Sequence, residues 1–365
     1  MTHSAKRSRV IFLDLIRAFA VLMMVQGHTV DVLLSDYYRA TDSLLYKIWQ
    51  FNRGMTAPLF LFTSGITFTY LFRLHKEPFL KNPRFIKGLK RSGLLVFLGY
   101  LLRYPTNSVV LFDEVTELQW QVFWTVDVLH LIGFGLLFLM LILFLAEKLK
   151  VKDWIVFGAF IFINLTLFPV FDNIDWKSFM NPALTGYFYR GTGSNFPLFP
   201  WLSFVYAGGI LGSYLASHPE VFKSVNFSYK TFLYGLSLVL FSMLGTIFEV
   251  LVFNSRTFWT FSPMLPILRG GLVFILLAVF VFAALKMETI PRVIVLLGRN
   301  TLLIYVVHLV MLYGSPWNLG VVAIANKGFN ILNTFLSVIL MWALMISMVL
   351  VLHKFQIRNK PMDAQ

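Results

Sequence analysis

Cysteine is absent from this chain of 365 residues, and charged side chains are scarce at 13% of the total against 58% hydrophobic residues. Without cysteine there are no disulfide bonds, no thiolate metal sites and no cysteine nucleophile. A soluble domain carries about 25% charged residues on its surface. This chain has roughly half that share, so in water it would expose apolar side chains, whereas in lipid it would not. We therefore expect an integral membrane protein.

Long apolar runs recur along the chain, and each is long enough to cross a hydrocarbon core of about 30 Å, which takes about 20 helical residues. We place ten of them at roughly 10–34, 46–72, 92–111, 121–146, 154–171, 197–217, 230–253, 264–285, 292–313 and 329–353. The pattern predicts an all-α polytopic bundle of about ten transmembrane helices, forming a single domain over residues 1–365. The first span lacks a small-residue cleavage site, so we expect it to remain uncleaved.

Lysine and arginine fall mainly in alternate gaps between these spans. They are concentrated in the tails 1–9 and 354–365 and in the gaps 73–91, 148–152, 223–230 and 286–292. This alternation predicts that both termini and these gaps are cytoplasmic. The net charge of +14 then lies against anionic lipid of the bilayer, and we expect no nucleic-acid partner.

The first predicted helix carries four ionisable side chains along one edge. Arg17 and His28 are 11 residues apart, which is about 20° from three full turns and about 16 Å of rise. Asp14 and Asp31 fall within about 60° of the same stripe. Ionisable groups inside a membrane are costly and are typical of functional sites.

Each member of this stripe also has a purely structural interpretation. Asp14 and Arg17 could form an i, i+3 ion pair at the boundary, and a buried histidine is often only a satisfied polar residue. We nevertheless predict that His28 is catalytic, because Asp31 follows it at i+3 and can fix the tautomer of the imidazole.

Further polar residues lie at matching depth on other spans. These oxyanion- or acceptor-binding candidates are Arg53, Asp127, His130, Arg269 and His308. They predict a polar chamber that opens outward. The alternative is a set of structural ion pairs between helices, such as Arg53 with Asp127. No two histidines have ligand spacing on one helix, so we expect no metal.

The Arg17–His28 spacing resembles the signature of the transmembrane acyltransferase superfamily, which includes acyltransferase family three. Three further segments are similar to its heparan-alpha-glucosaminide N-acetyltransferase-like branch and the bacterial relatives of that branch: RGMTAPLFLFTSGI (53–66), FPLFPWLSFVYAGGILG (196–212) and LLGRNTLLIYVVHL (296–309). The arginine-rich motif that often accompanies family three is not found here.

The resemblance implies an acyl-CoA-dependent O- or N-acetyltransferase with acetyl-CoA, or another acyl-CoA, as co-substrate. It implies a carbohydrate or glycolipid acceptor on the outer side, His28 as the essential histidine and Arg17 as the arginine linked to the donor. It also places Tyr305 and His308 in a related segment. We expect the general base to act in direct transfer rather than through an acyl-histidine.

Two other functions remain open. A secondary transporter would also carry intramembrane ionisable residues, with discontinuous helices in two related halves, and no such internal similarity is seen. A sensor or assembly partner would not need the Arg17–His28 stripe. We expect the location to be a bacterial inner membrane.

Overall fold

The structure is a computed structural model that describes residues 10–39, 43–254, 257–287 and 289–358. Part of the predicted charge pattern lies outside the described residues: Lys6, Arg7, Arg9, Arg256 and Lys360. The predicted tail 1–9 and most of the tail 354–365 also lie outside them.

The described residues form α-helices and one two-stranded hairpin. The first helices are α1 (Ile11–Leu33), α2 (Leu44–Arg53), α3 (Thr56–Arg73), α4 (Pro83–Leu102), α5 (Glu117–Trp124), α6 (Val128–Leu149), α7 (Asp153–Asn173) and α8 (Pro182–Thr185). The others are α9 (Leu198–Ser217), α10 (Val225–Phe253), α11 (Met264–Lys286), α12 (Arg292–Arg299), α13 (Thr301–Tyr313), α14 (Val321–Ala325) and α15 (Ile331–Arg358). Strands β1 (Gly314–Ser315) and β2 (Asn318–Leu319) pair antiparallel. The predicted all-α polytopic architecture is confirmed.

Eight helical segments of the described chain are long and apolar enough to cross a membrane. The pair α12 and α13, bent by 75°, would raise that number to nine if it forms one span. The chain is therefore a multi-pass membrane protein. The predicted run that is missing from these segments is the third, at 92–111, which corresponds to α4, whose first half carries basic residues.

The predicted span at 92–111 is wrong in its position, because α4 begins at Pro83 and ends at Leu102. Asn82 caps the helix by accepting from the Arg84 N–H (2.9 Å), and Pro83 suits its first position. Four of the basic residues that we placed before the span therefore lie within the helix: Arg84, Lys87, Lys90 and Arg91.

Contacts divide the described residues into two compact units. The first, which we call the α1 unit, comprises residues 10–56 and those from 286 onward. The second, which we call the α3–α11 unit, comprises residues 57–285. The single domain predicted over 1–365 stays a prediction.

Helix α1 is the centre of the α1 unit, where it packs against α12, α13 and α15. From α15, the Trp342 indole N–H donates to the Leu22 carbonyl of α1 (2.9 Å). Arg39 donates to the carbonyls of Val30, Asp31 and Leu34 (3.1, 2.6 and 3.0 Å). The Arg39 bonds lie at the C-terminal end of α1, where a helix leaves carbonyl acceptors open.

Within the α3–α11 unit, α4 packs along α6, and α7 packs along α9. Arg73 at the end of α3 donates to both carboxylate oxygens of Asp153 at the start of α7 (2.7 and 2.5 Å). Ser213, near the end of α9, donates to the same carboxylate. Helix ends that the charge alternation assigns to one side therefore meet within this unit.

Glycines let α3 and α9 approach until their backbones touch. A Cβ on Gly208 would lie 2.1 Å from the Phe62 carbonyl oxygen, and one on Gly65 would lie 2.1 Å from that of Val205. Helices in lipid associate through such small residues, because lipid chains are as apolar as the side chains they would replace.

We expect Gly208→Ala to lower the midpoint of thermal unfolding in detergent, because the new methyl group can fit only if the two backbones separate. Overpacking of this kind costs about 1–3 kcal/mol. Differential scanning fluorimetry of the purified protein measures the shift.

The matched control is Gly158→Ala, since a Cβ there meets nothing within 4 Å. It should leave the midpoint unchanged or raise it, because alanine favours helix more than glycine does. Equal effects of the two substitutions would contradict the close approach.

Candidate functional site

The polar stripe of α1 is faced along its length by α12 and α13. A Cβ on Gly298 would lie 2.6 Å from the Asp14 carbonyl oxygen, so only glycine permits this approach. Three residues further along, the Arg17 Nη2 donates to the Thr301 hydroxyl (3.4 Å). The segment 296–309 that we identified in the sequence therefore contacts the stripe at its arginine end.

His28 lies at the other end of the stripe, half-buried, and meets two side chains of α13. Its Nδ1 is 3.0 Å from the hydroxyl of Tyr313. Its ring centroid is 5.4 Å from that of His308, which is fully buried and 5.7 Å from the ring of Tyr305. The structure thus joins two of the predicted site histidines in one cluster.

The tautomer of His308 follows from its hydrogen bond. Its Nδ1 is 2.7 Å from the Ile304 carbonyl oxygen, and a carbonyl can only accept. His308 therefore carries a proton on Nδ1, whereas the proton between His28 and Tyr313 can belong to either partner.

Asp31 and Arg53 form an ion pair beside this cluster. The aliphatic part of the Arg53 side chain, at the end of α2, packs on Gly27. A Cβ at Gly27 would lie 3.4 Å from the Cγ of Arg53. Its guanidinium is also 5.9 Å from the ring of Trp49. The catalytic role of Asp31 stays a prediction, and the partner shown at Nδ1 of His28 is Tyr313.

Asp127 and His130 lie in the α3–α11 unit and have structural partners there. Asp127 caps α6 by accepting from the Val128 N–H (2.5 Å), while the His130 Nδ1 accepts from the Asp127 N–H (3.0 Å). Arg103 lies 3.6 Å from the Asp127 carboxylate. These bonds form a capping box, and the acceptor-binding role of both residues stays a prediction.

Arg269, on α11, lines a cavity of about 340 Å³ within the α3–α11 unit. Its guanidinium carbon is 6.0 Å from the ring centroid of Trp201.

In the same unit, the hydroxyls of Tyr187 and Tyr100 are 2.9 Å apart, and burial raises the pKa of Tyr187. Among the described residues, no cluster of three histidine or carboxylate side chains is arranged to hold a metal ion.

Sequence reasoning missed Thr301 and Tyr313, which contact the two ends of the stripe. A hydroxyl on an apolar helix has no distinctive pattern of its own. The available signal is spacing: Thr301 and Tyr313 are 12 residues apart, close to the 11 residues between Arg17 and His28. Two helices running side by side would match them in this way.

Comparison with known proteins gives one match. The family model described as "Heparan-alpha-glucosaminide N-acetyltransferase, catalytic" matches residues 9–242. No curated protein and no solved structure matches the chain. The matched range includes Arg17, His28, Asp31 and Arg53 and ends within α10, whereas His308 lies beyond it. Because the match covers more than half of the chain, this protein belongs to the family of heparan-alpha-glucosaminide N-acetyltransferase catalytic domains.

Proposed function

We propose that this membrane protein transfers an acetyl group from acetyl-CoA to an amine or hydroxyl of a glycan-type acceptor, with His28 as the general base. The observation that carries the proposal is the position of His28. It sits half-buried on the α1 stripe, within the matched family range, and its Nδ1 is held by Tyr313. We further propose a bacterial inner membrane, with the acceptor on the outer side.

The base chemistry sets a condition on the Tyr313 contact. An acceptor amine or hydroxyl becomes a good nucleophile only as its proton is removed. For Nε2 of His28 to take that proton, Nδ1 must hold the other ring proton and donate it to the Tyr313 oxygen. The opposite arrangement would leave Nε2 protonated and unable to act as a base.

Arg53 is our candidate for stabilising the oxyanion that forms as the thioester carbonyl is attacked. Its side chain is 41% exposed although it pairs with Asp31. The remaining N–H groups of the guanidinium can therefore serve another acceptor. Positioned donors of this kind act most strongly where water is depleted.

Direct transfer is our preferred mechanism. With no cysteine in the chain, a covalent acyl-enzyme at this site would have to use His28 itself. In direct transfer, Nε2 of His28 serves only as the base that activates the acceptor, and no second group is needed for that activation.

Transport is the second candidate. The broken pair α12–α13 favours it, because transporter sites are often built on discontinuous helices. His308 lies on α13, about two helical turns past this break. Uptake of labelled glucosamine or acetate into vesicles that contain the protein, without release of CoA, would support transport over transfer.

We expect His28→Ala to lower the rate of acetyl transfer by about 10²- to 10⁴-fold while acetyl-CoA binding survives, because only the base is removed. Glucosamine serves as the acceptor probe, and release of CoA is followed with a thiol reagent. Since the protein has no cysteine, the reagent reports CoA alone.

The matched control is His218→Ala, an exposed histidine at the end of α9, which should retain the full rate. If His28→Ala transferred acetyl groups at a rate near that of the wild type, His28 would not be the base.

Tyr313→Phe should reduce the transfer rate by less than His28→Ala, roughly 10-fold, because a lost hydrogen bond of about 1 kcal/mol leaves the tautomer of His28 unfixed. Tyr305→Phe keeps the neighbouring hydrogen-bond pair of His28 and Tyr313, and serves as the control. An unchanged transfer rate in Tyr313→Phe would show that the contact plays no part in catalysis.

Arg17→Gln should weaken equilibrium binding of labelled acetyl-CoA by about 10-fold or more, because the substitution removes a cation that attracts the anionic acetyl-CoA. Thr301→Val removes only the hydroxyl that receives the Arg17 N–H, and its effect should be smaller. Wild-type protein that binds no acetyl-CoA at all would overturn the proposed function.

A further inference from the structure

The cavity beside Arg269 lies wholly within the α3–α11 unit. Its walls come from α7, α9 and α11 and from two connections, at 190–195 and 259–260. Its volume of about 340 Å³ is near the lower end of the range for small-molecule sites, about 300–1,000 Å³. The cavity therefore has the size for one small ring-shaped ligand, not for a lipid chain.

One of the two arginines that line the cavity is already neutralised. The Arg190 Nε donates to the buried carboxylate of Asp172 (2.7 Å), and its Nη2 donates to the Thr260 carbonyl (2.5 Å). The guanidinium carbon also lies 5.5 Å from the ring of Phe168. This pair forms a wall without net charge.

Arg269 is different, because no carboxylate pairs with it in the described part of the chain. Its Nε is buried and has no hydrogen-bond partner there. The face of Trp201 offers a weak attraction, but it cannot accept the N–H groups. A buried cation and its donors are costly unless an anion meets them, so the cavity holds one uncompensated positive charge.

The other walls suit a hydroxylated ring. Trp201 and Trp259 provide aromatic surface at the cavity. The exposed side-chain amide of Asn195 makes no hydrogen bond to the described residues, so both its oxygen and its NH₂ can face a ligand. Aromatic surface with a few polar groups is typical of small-molecule sites.

We propose that this cavity binds a sugar acid, with the carboxylate of the ligand on Arg269 and its hydroxyl groups on Asn195. The planar guanidinium matches a carboxylate with two parallel hydrogen bonds. A carboxylate carries one negative charge and balances the single unmatched arginine, whereas a phosphate monoester brings about 1.5 to 2 charges. The site is independent of the proposed acetyl transfer.

The test compares ligands that differ in one group. Purified protein in detergent is titrated with glucuronate, with glucose and with glucose 6-phosphate, and binding is measured by calorimetry and by the thermal midpoint. Ligand that binds the folded protein raises that midpoint. Glucuronate should bind at least about 10-fold more tightly than glucose, since the charged hydrogen bonds are lost with the carboxylate.

Arg269→Gln should weaken glucuronate binding by about 10- to 100-fold and leave the weak binding of glucose unchanged. Lys177→Gln removes the same charge from an exposed position outside the cavity, so it should have no effect. If Arg269→Gln does not fold, Asn195→Ala at the exposed edge tests the same cavity and should weaken glucuronate binding more modestly.

Equal affinity for glucuronate and glucose would overturn the proposal, as would glucuronate binding that Arg269→Gln leaves intact. Tighter binding of glucose 6-phosphate than of glucuronate would overturn the choice of a carboxylate. Absence of binding for all three sugars would overturn the proposal as well.

Discussion

The constraint on which the α1 unit depends is that polar side chains on a membrane-spanning helix must find partners within the protein. Helix α1 carries an aspartate, an arginine, a histidine and a second aspartate along one edge, and lipid can satisfy none of them. Segments α12 and α13 lie against this edge and supply Thr301 to Arg17 and Tyr313 to His28. Gly298 is required because a side chain there would collide with the α1 backbone.

The α3–α11 unit is also surrounded by lipid, but its helices associate through close backbone packing. Apolar helices gain little from association in lipid, so backbones pack closely wherever glycine allows it. Gly65 and Gly208 bring α3 and α9 together, and Gly99 places α4 against the ring of His130. His130 and Asp127 then close the start of α6 with their own hydrogen bonds. Asp127 and His130 thus have structural partners, whereas Arg269 has an open cavity beside it.

Hydropathy and helical period account for what the sequence predicts well. They locate the apolar helices and align Arg17 with His28, because both depend only on local periodicity. They fail where tertiary contacts decide. The third span was misplaced because the helix runs on through basic residues that hydropathy assigns to a loop, with Asn82 and Pro83 starting it early. The pairing of Arg53 with Asp31 could not be predicted either, since several acids share its depth.

The charges around His28 fit the proposed reaction as a balanced set. Before transfer, Asp31 and Arg53 neutralise each other and the imidazole is neutral in its base form. In that reaction, proton removal would create an imidazolium at His28 while attack forms the new bond to the thioester carbonyl and creates an oxyanion. Collapse of the oxyanion would then break the C–S bond, and the leaving CoA thiolate would take the proton from the imidazolium. An oxyanion that draws Arg53 away from Asp31 leaves that carboxylate free to balance the imidazolium one helical turn away. In this sequence of events no uncompensated charge forms at the site, and this lowers the energetic cost of ionic chemistry within a membrane.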